Sequence, residues 1–339
     1  MNSNPFSVQT NNLPLEKIID RENELDDLLT SVVERCENVL LLGDNGIGKT
    51  CLLRKLRHKL QSLNGGGPEI IEVEAREIRK DSTDFMERIL SSLFKHSWSK
   101  LAGKPFTELM FGLSIPEDIE YIGVPAVRTL MRLYQHFRSD FVAKDTKTSS
   151  SLGANAIVKA HRQKDRAQSF RQEGLKPWEY TELMGEVLVL LRERTASRVL
   201  IFADETNHID PELQVDIFRS NLDSFLRRDV QFIFTARKDV LQQVPSLRDA
   251  FLKVFVLEGF PDKATFMSLI GLYLAGEDSP VPFSDRALDR IWTLTTGHPT
   301  RLQRLCQESY TVAQKEKALE VAIDHVFEAT LKIGQWELR

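Results

Sequence analysis

The stretch from Gly43 to Thr50 constrains the fold of this chain more than any other feature of its sequence. It fits the pattern G-x-x-x-x-G-K-[ST] and lies between an apolar strand, predicted over Val39 to Leu42, and a basic helix, predicted from about Lys49 to Leu63. A second strand is predicted around Ile70 to Val73. Because parallel neighbouring strands need a crossover helix, this order predicts an α/β protein with a parallel sheet.

The same stretch carries the groups that bind a nucleoside triphosphate. Its glycines let backbone N–H groups converge on phosphate oxygens, and the helix N-terminus adds a positive dipole end. Lys49 is predicted to reach the β- and γ-phosphates, and the Thr50 hydroxyl to bind Mg²⁺. The predicted cofactor-binding residues of the loop are Gly43, Asp44, Asn45, Gly46, Ile47, Gly48, Lys49 and Thr50. The predicted cofactors are therefore a nucleoside triphosphate and Mg²⁺.

Two acids follow the apolar run Val199 to Ala203, at Asp204 and Glu205. In a parallel sheet they lie at the carboxyl edge of the strands, where α/β proteins bind their ligands. Asp204 is predicted to hold Mg²⁺, usually through water, and Glu205 to orient and deprotonate the attacking water. The alternative is that the two acids merely end a buried strand and cap the next helix.

The strand predicted over Val230 to Thr235 ends in a hydroxyl and is followed by Arg237. Thr235 is a candidate to polarise the attacking water or the γ-phosphate, and Arg237 to bind phosphate directly. The alternative is that both are ordinary strand-end residues.

The remaining chain divides around this α/β pattern. A polar leader runs to about Leu13, and residues 1–261 are predicted as a nucleotide-binding domain with an insertion at about 80–178. Within the insertion, Lys144 to Gly174 carries seven Lys or Arg against three Asp or Glu and no long apolar run. One continuous helix is predicted over Pro211 to Arg227. Only helical patterns follow residue 262, so 262–339 are predicted as a small all-helical domain.

Composition excludes several classes of protein. With 42% hydrophobic and 28% charged residues and a net charge of −4, the chain is neither a disordered protein nor a globally basic nucleic-acid coat. Its longest apolar runs, such as Val187 to Leu191, are far shorter than the roughly 18 residues of a membrane span. The first residues do not resemble a secretory signal, and Cys36, Cys51 and Cys306 lack Cys-x-x-Cys spacing. We therefore expect a cytoplasmic protein without a membrane partner, disulfide framework or structural metal.

In combination, these motifs resemble those of AAA+ ATPases in the origin-recognition and STAND-related clade, which includes transposition regulators and defence ATPases. Asp-Arg-Glu-Asn-Glu-Leu at 20–25 is similar to the entry motif of that clade. The Asp204-Glu205 strand end resembles a Walker B motif, and Thr-Ala-Arg at 235–237 resembles sensor 1, with Thr235 where Asn is usual. Gly-His-Pro at 297–299 with Arg301 resembles the lid motif and sensor 2. The resemblance covers about residues 14–75 and 180–331.

The resemblance implies a regulatory ATPase with a P-loop sheet between helices and a C-terminal helical lid. It implies a homo-oligomer that controls a partner protein, for example in a mobile-element or anti-phage defence system. The further cofactor-binding residues that it implies are Ile19, Arg21, Cys51, Pro299 and Arg301. In such assemblies a neighbouring subunit often supplies a catalytic arginine, for which Arg248 is the leading candidate and Arg227 and Arg228 are alternatives.

An ATP-dependent DNA-binding or filament-forming regulator is the alternative function. The basic residues that would contact phosphates in this case are Arg54, Lys55, Arg57 and Lys59 on the P-loop helix and Lys159, Arg162, Lys164 and Arg166 in the insertion. These residues are equally compatible with a solvated basic surface. A small-molecule kinase is disfavoured because Glu205 suits water activation, and a GTPase because the sequence lacks Asn-Lys-x-Asp.

Overall fold

The structure is a computed structural model that describes residues 4–6, 21–63, 67–74, 82–102, 133, 177–195, 198–204, 209–226, 230–275 and 281–334. Several residues named above lie outside these ranges: Ile19, Lys159, Arg162, Lys164, Arg166, Glu205, Arg227 and Arg228. The basic segment from Lys144 to Gly174 also lies outside them.

The described residues form alternating strands and helices, followed by helices alone. The strands are β1 (Val39–Leu42), β2 (Glu69–Glu74), β3 (Val199–Asp204), β4 (Val230–Ala236) and β5 (Lys253–Val256). The helices before β4 are α1 (Glu22–Leu29), α2 (Lys49–Gln61), α3 (Ser82–Ala102), α4 (Pro177–Thr195), α5 (Pro211–Ser220) and α6 (Leu222–Phe225). Those after β4 are α7 (Val240–Gln243), α8 (Leu247–Ala250), α9 (Lys263–Leu274), α10 (Asp285–Thr295), α11 (Pro299–Lys315) and α12 (Ile323–Ile333). We refer to α9–α12 as the C-terminal bundle.

The described strands form one five-stranded sheet in the order β2-β3-β4-β1-β5. β1 pairs in parallel with both β4 and β5, with Leu42 opposite Ala236 on one side and Val256 on the other. All residues of the apolar β1 and of the mostly apolar β4 are buried, as expected for strands of a parallel sheet that is covered on both faces. The predicted parallel α/β sheet is confirmed.

The chain packs as two compact units. The first comprises Met1–Gly67, Asp204–His208 and Ile233–Arg339, and the second comprises Pro68–Ala203 and Ile209–Phe232. In the second unit the Phe225 ring packs edge-on against three others, at centroid distances of 5.4 to 6.3 Å: Phe85, Phe218 and Phe232. Every candidate site residue that the structure describes belongs to the first unit.

The helix predicted over Pro211 to Arg227 is interrupted at Asn221. Asp210 caps its start by accepting hydrogen bonds from the Glu212 and Leu213 N–H groups, and α5 then ends at Ser220. The Asn221 side chain donates to the Ile217 carbonyl, while the Asn221 carbonyl accepts from the N–H groups of Ser224 and Phe225 in α6. Such side-chain to backbone bonding competes with a continuous helix.

Residues 4–6 pack into the C-terminal bundle. The Phe6 side chain is 1% exposed and packs among three aromatic rings at centroid distances of 5.1, 5.7 and 5.9 Å: Tyr273, Phe283 and Tyr310. Asn4 Nδ2 donates to the Gln307 carbonyl at 2.8 Å, and Gln303 Nε2 donates to the Phe6 carbonyl at 3.2 Å. The prediction of a polar leader is therefore wrong for these residues. None of the helices within the described ranges is long and apolar enough to span a bilayer.

We expect Phe6→Ala to lower the free energy of unfolding by about 3–5 kcal/mol, because it leaves a cavity among buried rings. Urea denaturation followed by circular dichroism measures this change. Leu319→Ala, at a side chain that is 93% exposed, is the matched control and should change stability by less than about 0.5 kcal/mol. Equal stability of the two variants would show that Phe6 is not part of the core.

Candidate nucleotide-binding site

The loop from Gly43 to Gly48 connects β1 to α2 at the carboxyl edge of the sheet. The Gly43 N–H donates to the Ala236 carbonyl at 3.2 Å, which continues the pairing of β1 with β4. The loop then turns at Gly46 (φ 77°) and Gly48 (φ 102°), which both have left-handed conformations that glycine adopts without strain. Gly48 is the N-cap of α2, so the loop delivers the chain directly to a helix N-terminus.

The Lys49 side chain lies against the backbone of this loop. Its ammonium group donates to the carbonyl oxygens of Gly43 and Asp44, both at 2.8 Å. Burial lowers the pKa of Lys49 to about 8, and the negative charges of Asp204 and Asp44 act in the opposite direction. A buried ammonium group with a lowered pKa gains stability from additional negative charge, such as that of a phosphate.

Asp204 and Thr235 lie side by side at the ends of β3 and β4. The buried Thr235 hydroxyl donates to Asp204 Oδ1 at 2.9 Å. Because this hydrogen bond fixes one carboxylate oxygen, Thr235 orients Asp204. The structure thus brings the two predicted residues together through a contact that the sequence motifs do not specify.

The donors at this edge fit Mg²⁺. Thr50 lies half-buried in the first turn of α2, and Asp204 lies close enough for its charge to affect the pKa values of Lys49 and Cys51. Within the described ranges no cluster of three His, Cys, Asp or Glu side chains is suited to a metal. Mg²⁺ needs no such cluster, because it commonly uses one or two carboxylates together with phosphate oxygens and water.

Arg21 links the start of α1 to this edge of the sheet. Its guanidinium group is buried and donates to the Glu258 carbonyl at 2.6 Å and, over a longer 3.5 Å, to the Ile47 carbonyl. It also pairs with Glu24 at 2.7 Å. Arg21 therefore holds the P-loop from its outer side, and its contact with nucleotide stays a prediction.

Cys51 differs from the other predicted nucleotide contacts. It is buried with Phe6 and with residues of the C-terminal bundle such as Phe266 and Leu302. Burial raises the pKa of its thiol, so the side chain is neutral at physiological pH. In this structure Cys51 packs α2 against the C-terminal bundle.

Two cations follow β4, and both pair with carboxylates, while the binding of phosphate by Arg237 stays a prediction. Arg237 forms an ion pair with Asp239 at 3.2 Å. The next residue, Lys238, pairs with Glu258 at 2.9 Å and lies 3.5 Å from the Asp44 carboxylate. Its hydrogen bond with Glu258 raises the pKa of Lys238. Lys238 is thus a loop-facing cation that the sequence motifs missed, and its position directly after Arg237 was the only signal for it.

The start of α11 contacts the P-loop. Pro299 is the first residue of the helix, and His298 caps it by accepting a hydrogen bond from the Arg301 N–H. His298 Nε2 lies 2.9 Å from the Asn45 carbonyl oxygen, and Thr300 Oγ1 donates to the Gly46 carbonyl at 2.8 Å. The sequence motif predicts Pro299 and Arg301 as contacts of the nucleotide, whereas the hydrogen bonds to the loop come from His298 and Thr300.

No family model matches this sequence, and no curated protein matches it. The solved structure of a Cdc6 protein from Pyrobaculum aerophilum is similar over 97% of this chain and 70% of that chain, with a TM-score of 0.55 and 16% identity. The ORC1 protein of Aeropyrum pernix in complex with DNA is similar over 94% and 67%, with a TM-score of 0.50 and 15% identity. This chain has the AAA+ fold.

The junction of the AAA+ sheet with the C-terminal bundle is a close backbone contact. The Phe260 N–H donates to the Gly297 carbonyl at 2.9 Å, and a Cβ atom on Gly259 would lie 2.9 Å from the same oxygen. We expect Gly259→Ala to destabilise the protein by about 1–3 kcal/mol, because this backbone has no free space to move into.

Gly271→Ala on α9 is the control, since a Cβ atom there meets nothing within 4 Å. Alanine should stabilise that helix by about 0.5–1 kcal/mol relative to glycine. Thermal denaturation of both variants measures the difference, and a Gly259→Ala variant as stable as Gly271→Ala would contradict the close contact.

Proposed function

We propose that this chain is a regulatory ATPase that binds ATP with Mg²⁺ at the P-loop and hydrolyses it to ADP and phosphate. The observation that carries the proposal is the buried Lys49 ammonium group against the Gly43–Gly48 loop, close to the Asp204 carboxylate. A helix N-terminus, a buried cation and a carboxylate at one sheet edge suit a polyphosphate and its metal better than an uncharged ligand.

The proposed hydrolysis is the attack of water on the γ-phosphorus. A new P–O bond forms, the bond to the β,γ-bridging oxygen breaks, and Glu205 accepts the proton of the attacking water. Mg²⁺, held by Thr50 and Asp204, would neutralise charge on the phosphate oxygens. Lys49 would bind the β- and γ-phosphates, while Thr235 keeps the Asp204 carboxylate oriented. The role of Glu205 is inferred from its position directly after Asp204.

We further propose that the protein forms homo-oligomers and that its nucleotide state controls a partner protein in the cytoplasm. Residues 262–339 would act as the lid of each subunit. Arg248 lies exposed on α8, in the connection between β4 and β5. It would act on the nucleotide of a neighbouring subunit. The AAA+ fold supports this arrangement, in which the arginine of one subunit stabilises the transition state in another.

A DNA-binding regulator is the second candidate. The structural similarity to ORC1 in complex with DNA favours it. On α2, however, Lys55 pairs with Glu22 at 3.0 Å and Lys59 with Asp26 at 3.1 Å, so α1 neutralises part of the basic surface. DNA contact would therefore rely on the basic residues of the insertion: Lys159, Arg162, Lys164 and Arg166.

Lys49→Ala should abolish ATP binding in isothermal titration calorimetry without unfolding the protein, because it removes the buried phosphate ligand. Lys59→Ala, on the exposed side of the same helix, is the control and should bind ATP normally. Unchanged affinity of Lys49→Ala would refute the proposed site.

The lowered pKa of Lys49 adds a pH dependence to this prediction. At pH 8 about half of Lys49 is protonated in the free protein, since its pKa is about 8. Bound phosphate raises that pKa, so binding takes up protons near pH 8 and affinity falls as the pH rises further. Binding enthalpies measured in two buffers of different ionisation enthalpy should reveal this uptake at pH 8 and much less at pH 7.

Glu205→Gln should bind ATP but hydrolyse it at least about a hundredfold more slowly, because general-base catalysis typically contributes 10²–10⁴-fold. Phosphate release under saturating ATP measures the rate. Near-normal turnover would show that Glu205 only ends the strand. Glu212→Gln, an exposed residue near the start of α5, is a suitable control and should turn over normally.

Arg248→Ala should bind ATP with unchanged affinity and hydrolyse it poorly if Arg248 acts across a subunit interface. In the wild type, hydrolysis per subunit should then rise with protein concentration as subunits associate. A rate that is independent of concentration in a species shown to be monomeric by light scattering would contradict this role.

A further inference from the structure

Two side chains at the start of α11 hold successive carbonyl groups of the P-loop. His298 Nε2 lies 2.9 Å from the Asn45 oxygen, and Thr300 Oγ1 lies 2.8 Å from the Gly46 oxygen. Both contacts lie within the first compact unit. The approach is close, since a Cβ atom on Gly46 would lie 2.5 Å from Thr300 Oγ1.

These carbonyl contacts also determine where the loop's amide groups point. In a planar trans peptide the carbonyl and the following N–H point in opposite directions. The described chain contains no cis peptide. When α11 holds the oxygens of Asn45 and Gly46, the N–H groups of Gly46 and Ile47 are directed away from α11. The Ile47 N–H donates to the Asp44 carbonyl over a long 3.4 Å, a bond that a bound phosphate would replace. Phosphate binding by such a loop depends on this orientation of its amide groups.

The hydrogen bonds of His298 define its protonation state. Nδ1 accepts from the Arg301 N–H as the helix cap and therefore carries no proton, so the neutral ring donates through Nε2–H to Asn45. The charged groups facing the ring are Arg301 on its own helix and Asp44 in the loop. Burial, followed by the charge of Arg301, lowers the pKa of His298, and Asp44 acts in the opposite direction.

We propose that His298 and Thr300 are positioning residues that preset the P-loop amide groups for phosphate, so that nucleotide affinity depends on the placement of the C-terminal bundle. The inference rests on the proposed function, since the ligand is the phosphate chain of ATP. Neither side chain needs to touch the nucleotide. Each acts through a backbone carbonyl of the loop.

The first test compares two threonine-to-valine variants. Thr300→Val keeps the side-chain shape and removes the hydrogen bond to Gly46, so we expect roughly 2- to 10-fold weaker ATP binding. Thr330→Val on α12 removes a hydroxyl that donates to the Val326 carbonyl within its own helix, and it should bind ATP like the wild type. Equal loss in both variants would indicate a general effect on the bundle and overturn the proposal.

The second test uses pH. His298→Asn retains a good helix cap but neither reaches Asn45 nor titrates. The hydrogen bonds of the neutral His298 ring are fully formed above the ordinary histidine pKa of 6.5. They weaken as the pH falls below that value, because a ring without these hydrogen bonds binds protons more readily than the ring that makes them. From pH 7.5 to 5.5, wild-type ATP affinity should therefore fall more steeply than that of His298→Asn. Nucleotide protonation affects both proteins equally, so it cancels in the comparison.

The histidine ring itself gives an independent readout. Nitrogen-15 NMR of labelled protein should show His298 as the Nε2–H tautomer with a pKa below 6.5. Parallel pH profiles of the two proteins, or an Nδ1–H tautomer, would overturn the proposal. Failure of the proposed function is distinguishable, because a wild type that binds no ATP at any pH would reject the nucleotide site itself. If Lys49→Ala abolishes ATP binding but Thr300→Val and His298→Asn leave it unchanged, only the positioning role of His298 and Thr300 is rejected.

Discussion

The parallel register of β1 between β4 and β5 brings the P-loop and the connections after β4 and β5 to one edge of the sheet. Because Leu42 stands opposite both Ala236 and Val256, the connections that follow these three strands begin at one sheet edge. The hydrogen bonds from Gly43 to Ala236 and from Leu257 to Leu42 extend this pairing into the loops. All four residues of β1 are apolar and buried, so a slip by one residue would again bury apolar side chains, and hydrophobicity alone does not fix the register. The hydrogen bonds of the flanking loops therefore help to fix it.

Two buried cations stabilise the P-loop from different sides. Lys49 donates to carbonyls at its start, and Arg21 donates to carbonyls at Ile47 and Glu258. Burial of a charged group is unfavourable unless hydrogen bonds compensate it, and a carbonyl left without its donor adds a further penalty of about 1–3 kcal/mol. The entry segment, the loop and the end of β5 thus depend on one another through these cations.

Short-range patterns made much of this structure predictable. The P-loop, the apolar strands β1, β3 and β4, and the helical C-terminal region each follow from residues that are adjacent in sequence. Long-range partners were not predictable in this way. Phe6 is a single aromatic residue in a polar stretch, and its burial depends on rings more than 260 positions later in the sequence. The sequence identified Asp204 and Thr235 separately but not their hydrogen bond. It also missed the ion pair of Arg237 with Asp239, because Asp239 is an ordinary loop residue that no motif marks as a partner.

Burial acts in the same direction on Lys49 and His298, whereas the proposed function requires opposite protonation states of these two bases. Desolvation disfavours the charged form of each, so both pKa values are lowered. Lys49 must be charged to bind phosphate, and its value of about 8 keeps it mostly charged at neutral pH. His298 must be neutral to cap α11 and hold Asn45, and its lowered pKa keeps it neutral there. The ordinary pKa is 10.5 for lysine and 6.5 for histidine, so after burial has lowered both values neutral pH lies between them. Burial is therefore compatible with a charged Lys49 and a neutral His298 at the same pH.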